Sequence, residues 1–166
     1  MNTKLWYALR VPPSREERAS TELSHRGFET FLPTQKVKRR WSDRIKVLDS
    51  PLFPGYVFSR FAFEERVIAL RSPWVIQIVG AAGRPIAVSD DEITAVRALV
   101  ASRLVVTPWP YLRVGHKVRI ANGPLTGLDG VVVRAADGSP RIVVSVDLLQ
   151  RSVAAEVDRS WLALAS

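Results

Sequence analysis

The sequence predicts an α+β fold: an amino-terminal antiparallel sheet flanked by helices, followed by a small all-β barrel. Three observations predict it. Short extended segments alternate with helix signals over the first hundred or so residues. Beyond Pro108-Trp109-Pro110 the hydrophobic period falls to two, and Gly123, Gly127, Gly138 and Pro140 mark turns along that second stretch. The 166 residues suit one ordinary domain or two small ones, and 47% hydrophobic with 24% charged residues is the balance of a chain that folds.

Residues 4–11 alternate and are bulky, a strand that Pro12-Pro13 ends. A helix follows, with Ser14 and Glu17 at capping-box spacing, Ala19 and Leu23 on one face and Gly27 at the stop. Residues 28–33 and 35–40 read as extended, with a tip near Ser42-Asp43 and a return through 45–48; residues 52–61 form a strand entered through Pro54-Gly55. Residues 64–71 suit a short helix, and 75–79 and 85–88 two strands joined around Gly80 and Gly83. Ser89-Asp90-Asp91-Glu92 opens the clearest helix, with acids where they suit the helix dipole and Ile93, Val96, Leu99 and Val100 in one stripe. This domain is expected to span residues 1–102, and residues 103–112 read as a short stiff linker. Residues 113–166 then make the barrel, in which Lys117 and Arg119 point out if Val118 and Ile120 point in, and Trp161 and Leu162 close the core.

The net charge of +8 favours an anionic partner. It is unevenly placed: residues 1–46 hold eleven Lys/Arg against five Asp/Glu, whereas residues 113–166 hold seven against five. With no cysteine there is no disulfide or thiolate site, and no apolar run reaches the roughly 20 residues that span a bilayer, so a cytoplasmic protein with no membrane contact is expected. His25 and His116 have no paired carboxylate or metal spacing nearby, Asp90, Asp91 and Glu92 are explained by the helix start, and no GxxxxGK[ST] loop is present. No catalysis, metal or cofactor is expected.

Two constellations remain. Phe53-Pro54-Gly55-Tyr56-Val57-Phe58, with Trp6 and Tyr7, is either a core hairpin or a partly exposed apolar patch for a protein partner. Lys36, Lys38, Arg39, Arg40, Arg44 and Lys46 surround Trp41 with only Asp43 opposing, either a solvated hairpin or a nucleic-acid contact in which the cations meet phosphates and the indole stacks on an unpaired base.

Trp6-Tyr7, FPGYVF at 53–58, Val79-Gly80 before a proline and a helix start, and VGHKVRIANGPLTGLDGVVVR at 114–134 together resemble the NusG and RfaH family of bacterial transcription factors, the last stretch resembling its KOW motif. The resemblance implies an NGN-type first domain, an SH3-like KOW barrel and a factor that binds RNA polymerase and suppresses pausing or termination. It implies that Trp6, Phe53, Tyr56 and Phe58 grip the clamp helices of the polymerase from an accessible face. It further implies contact with the non-template DNA strand or RNA, a ribosomal protein or Rho as partner of the KOW domain, and a monomer. LFPGYVF followed by Ser59-Arg60-Phe61 looks like the operon-restricted paralogues. RfaH can hold its second domain as a helical hairpin; here Gly123, Pro124, Gly127, Gly130, Gly138 and Pro140 favour a constitutive barrel. The alternative, a ribosomal or RNA-assembly protein using the KOW barrel, would need a more basic barrel than this one.

Overall fold

A computed structural model describes residues 3–112 and 115–162; Val114, where the KOW-like stretch begins, lies outside them. The chain divides into two compact units, Met1–Pro33 with Phe53–Ile93, and Thr34–Leu52 with Thr94–Ser166. This departs from the expected division at residue 102. The hairpin of residues 34–52 pairs with itself and gives no strand to the first unit's sheet.

The first unit is built on β1 (Lys4–Arg10), α1 (Glu16–His25), β2 (Glu29–Phe31), β5 (Tyr56–Ala62), α2 (Arg66–Leu70) and β6 (Gln77–Ile78), with strand order β2-β5-β1-β6. β1 and β5 are antiparallel over seven pairs, from Lys4 opposite Ala62 to Arg10 opposite Tyr56. Opposed residues share a face, so Tyr7, Leu9, Val57 and Phe61 pack together with Ala19 and Leu23 of α1. Tyr7 stacks on Phe61 at 4.7 Å, and burial, reinforced by Glu64, pushes its phenol pKa up. α1 ends as expected at Gly27: Gly27 N–H donates to Ser24 and Phe28 N–H to Leu23, the Schellman pattern. Its start differs. Arg15 N–H donates to the Pro12 carbonyl, so Ser14 sits in a tight turn at φ 67° and makes no cap; Arg15 holds the N-cap position. The loop region beyond β6 forms only a two-pair hairpin, β7 (Gly80–Ala81) with β8 (Arg84–Pro85), and Val88 bridges to Trp6.

In the second unit, β3 (Thr34–Trp41) and β4 (Arg44–Pro51) make an eight-pair ribbon turning at Ser42-Asp43. α3 (Asp90–Ala101), which begins in the first unit, is the helix expected after Ser89. The barrel sheet runs β10 (Lys117–Arg119), β11 (Asp129–Arg134), β12 (Pro140–Val146), β13 (Arg151–Glu156) and β9 (Val106–Trp109). Residues 151–156, which include alanine and glutamate, form strand β13, and this region is a barrel as the Gly and Pro spacing predicts. Lys117 and Arg119 are exposed and Ile120 is buried, in the expected alternation. Ile120 bridges Leu162, and the Trp161 ring lies so close to Gly123 that a Cβ there would stand 2.6 Å from it.

The linker reading of 103–112 is corrected. Val106–Trp109 is an edge strand of the barrel, paired from Ala155 opposite Val106 to Ser152 opposite Trp109, and Val106 is buried. Pro108 is tolerated because it lies on an edge strand. The contact extends to Leu112: its N–H donates to Ser152 Oγ at 2.9 Å, its carbonyl accepts from Ser145 Oγ at 2.8 Å, and the two hydroxyls are 2.6 Å apart. A fragment beginning at residue 113 should therefore be less stable than one beginning at 103, by at least about 2 kcal/mol from the lost burial of Val106, measured by urea denaturation.

Candidate functional site

Phe53-Pro54-Gly55-Tyr56 is a turn closed by Tyr56 N–H donating to the Phe53 carbonyl at 3.1 Å. Proline presets the second position, and Gly55, at φ 86°, takes the left-handed conformation required at the third. Two tertiary bonds hold the turn. Val11 N–H donates to the Gly55 carbonyl at 2.9 Å, and Gly55 N–H donates to Glu16 Oε2 at 2.8 Å. Glu16 is a buried carboxylate in the first turn of α1. Nothing in the sequence singled it out, because its partner is 39 residues away and Glu17 held the capping-box spacing.

The register places Trp6, Tyr56 and Phe58 on the sheet face opposite the α1 core, since Trp6 opposes Arg60, Ala8 opposes Phe58 and Arg10 opposes Tyr56. Phe53 joins them, edge-on to Phe58 at 5.5 Å, and Phe31 lies 6.2 Å from Phe58. The four expected residues are thus brought together, but not as an accessible patch. Trp6 is 6% exposed, Phe53 1% and Phe58 0%; only Tyr56 is partly open. The correction has a physical cause: the sheet is buried on both faces, so its aromatics serve as core, the other reading that composition had left open.

The basic constellation is laid out on the ribbon. Lys36, Lys38, Arg39, Arg40, Arg44 and Lys46 are all exposed, and Trp41 is 59% exposed with Lys46 Nζ 5.1 Å from its ring centre. Lys36 pairs with Asp49 at 2.6 Å. Ile45 and Val47, which the charge pattern did not bring into view, are 70% and 58% exposed on the same ribbon. On the barrel, Arg119 forks onto Asp129 at 3.0 and 3.2 Å, and this bonding holds the Asp129 carboxyl below its usual range. Among the described residues no helix is long and apolar enough to cross a membrane.

A family model described as transcription termination factor nusG matches residues 4–97, more than half of the chain. The chain belongs to the NusG family. Relatives named transcription termination/antitermination protein NusG match nearly end to end: that of Thermus thermophilus is 27% identical over 175 residues, covering 93% of this chain and 95% of the relative. That of Escherichia coli K12 is 27% identical over 174 residues, covering 95% and 94%. The solved Thermotoga maritima NusG structure shares the fold, with a TM-score of 0.58 at 21% identity over 96% of each chain. NusG-family membership places the chain among transcription termination and antitermination factors. It also removes the ground of the ribosomal alternative, which rested on the barrel alone, because the family match lies in residues 4–97.

Glu16→Ala leaves the half-buried Gly55 N–H without its acceptor and should cost on the order of 1–2 kcal/mol, whereas Glu16→Gln keeps an acceptor and should cost less; chemical denaturation of the two variants measures the difference.

Proposed function

We propose that the chain is a transcription elongation and antitermination factor that docks on the clamp helices of RNA polymerase through the surface around Tyr56 and holds nucleic acid with the β3–β4 ribbon. The observation that carries this reading is the family match over residues 4–97, a span that contains both the Tyr56 turn and the whole ribbon. Trp6, Phe53 and Phe58 act from beneath, fixing where the Tyr56 ring stands. The mechanism is a population shift: a factor that binds the active polymerase more tightly than the paused one favours the active state by that difference. The barrel supplies a second attachment, to a ribosomal protein or to Rho. Restriction to particular operons is supported by Ser59-Arg60-Phe61 after the FPGYVF stretch, and a gene at the head of a long biosynthetic operon would agree with it.

Tyr56→Ala is the test of the polymerase contact. Phe58→Ala is unsuitable, because emptying a fully buried phenylalanine site costs about 3–5 kcal/mol of fold stability. Loss of a central aromatic anchor costs about 2 kcal/mol, some thirtyfold in Kd, read by titration against polymerase; unchanged affinity of the folded variant overturns the contact. For the ribbon, Arg39→Gln with Arg40→Gln should flatten the salt dependence of single-stranded DNA binding by about 0.7 per lost contact. An unaltered slope makes the ribbon a solvated hairpin.

A further inference from the structure

The ribbon's cations are divided by its register. Residues opposed across the ladder share a side, so Lys36, Lys38 and Arg40 stand on one face with Ile45, Val47 and Asp49. Arg39, Trp41, Arg44 and Lys46 stand on the other, with Val37 and Leu48. Lys36 is matched by Asp49, whereas Lys38, Arg39, Arg40, Arg44 and Lys46 have no ion pair among the described residues. A single strand laid on the ribbon meets one face. It would use Arg39, Arg44 and Lys46 with Trp41 and leave Lys38 and Arg40 without an anion.

We propose that the ribbon enters the major groove of B-form duplex DNA tip first, each face meeting one of the two phosphate backbones. This rests on the reading of the ribbon as a nucleic-acid contact and names the form of nucleic acid it takes. The dimensions agree. Successive side chains point to opposite faces of the ribbon, so its two rows of cations are directed away from each other, toward opposite walls of a groove that holds it. The major groove is about 12 Å wide and admits a two-stranded ribbon. Eight residues at about 3.3 Å each give a ribbon on the order of 25 Å long, enough to reach the floor of a groove about 8.5 Å deep. Trp41 and Arg44, the last pair before the turn, then lie nearest the base edges, and Ile45 on the other face offers apolar surface to a thymine methyl.

The test uses the full-length chain, a short mixed-sequence DNA duplex and each of its separated strands, with affinity measured against salt. The variants are Lys38→Gln/Arg40→Gln on one face, Arg39→Gln/Arg44→Gln on the other, and the fourfold combination; all four positions are exposed, so the fold is not at stake. The expected result is a duplex slope steeper than the single-strand slope, lowered by about 1.8 in either double variant and by the sum in the fourfold one. A duplex slope no steeper than that of the strands, or one that responds to a single face, overturns the groove while leaving the ribbon a nucleic-acid contact. Slopes untouched by any variant overturn both.

Discussion

The register of β1 against β5 is the constraint on which the first unit depends. Side chains alternate along each strand, so the seven pairs from Lys4–Ala62 to Arg10–Tyr56 decide at once which residues meet α1 and which face away. Tyr7, Leu9, Val57 and Phe61 fall on the helix side and form its core. A slip of one residue would present Trp6, Arg60 and Tyr56 to α1 instead. The turn at Gly55 is where that register is set, and both of its tertiary bonds come from sequence-distant backbone and side chain: Val11 at the end of the β1 segment and Glu16 at the start of the helix. Strand exit, helix start and turn are thereby tied at one point.

What was legible in the sequence was local. Gly27 stops α1, acids open α3, and the alternation of Val131–Val133 and of Ile142–Val146 makes strands, because each signal acts on its own few neighbours. What was not legible needed a distant partner. Ser14 has cap spacing, yet the preceding proline pair commits it to a turn. Residues 106–109 look like a Trp- and Pro-bearing spacer until β13 lies beside them. Phe53 and Phe58 have the composition of a docking patch, and only the covering of both sheet faces makes them core. The ribbon's charge was visible from the start, whereas its division between two faces required the pairing that the Ser42-Asp43 turn imposes.

A barrel of about sixty residues has little core to spare, and both of its ends are fastened by small polar or aromatic devices. At one end Ser145 and Ser152 satisfy both backbone groups of Leu112. At the other, the Trp161 carbonyl accepts from Ala121 and Asn122 N–H at 2.9 and 3.2 Å while its ring caps Gly123. Cross-strand ion pairs Arg119–Asp129 and Arg141–Glu156 join opposed residues of neighbouring strands; the first is exposed and adds little stability, whereas in the second the Arg141 side chain is largely covered.

The ribbon's charges have a second, colloidal consequence. A two-stranded sheet that exposes Ile45, Val47 and Trp41 is an adhesive surface, with outer edges open to another copy of itself. Like charges on both faces oppose that approach, so the exposed lysines and arginines also keep copies of the ribbon apart. This protection is electrostatic and therefore conditional. As the screening length falls from about 10 Å in 0.1 M salt to about 3 Å in 1 M, this repulsion fades while the apolar attraction of Ile45, Val47 and Trp41 persists.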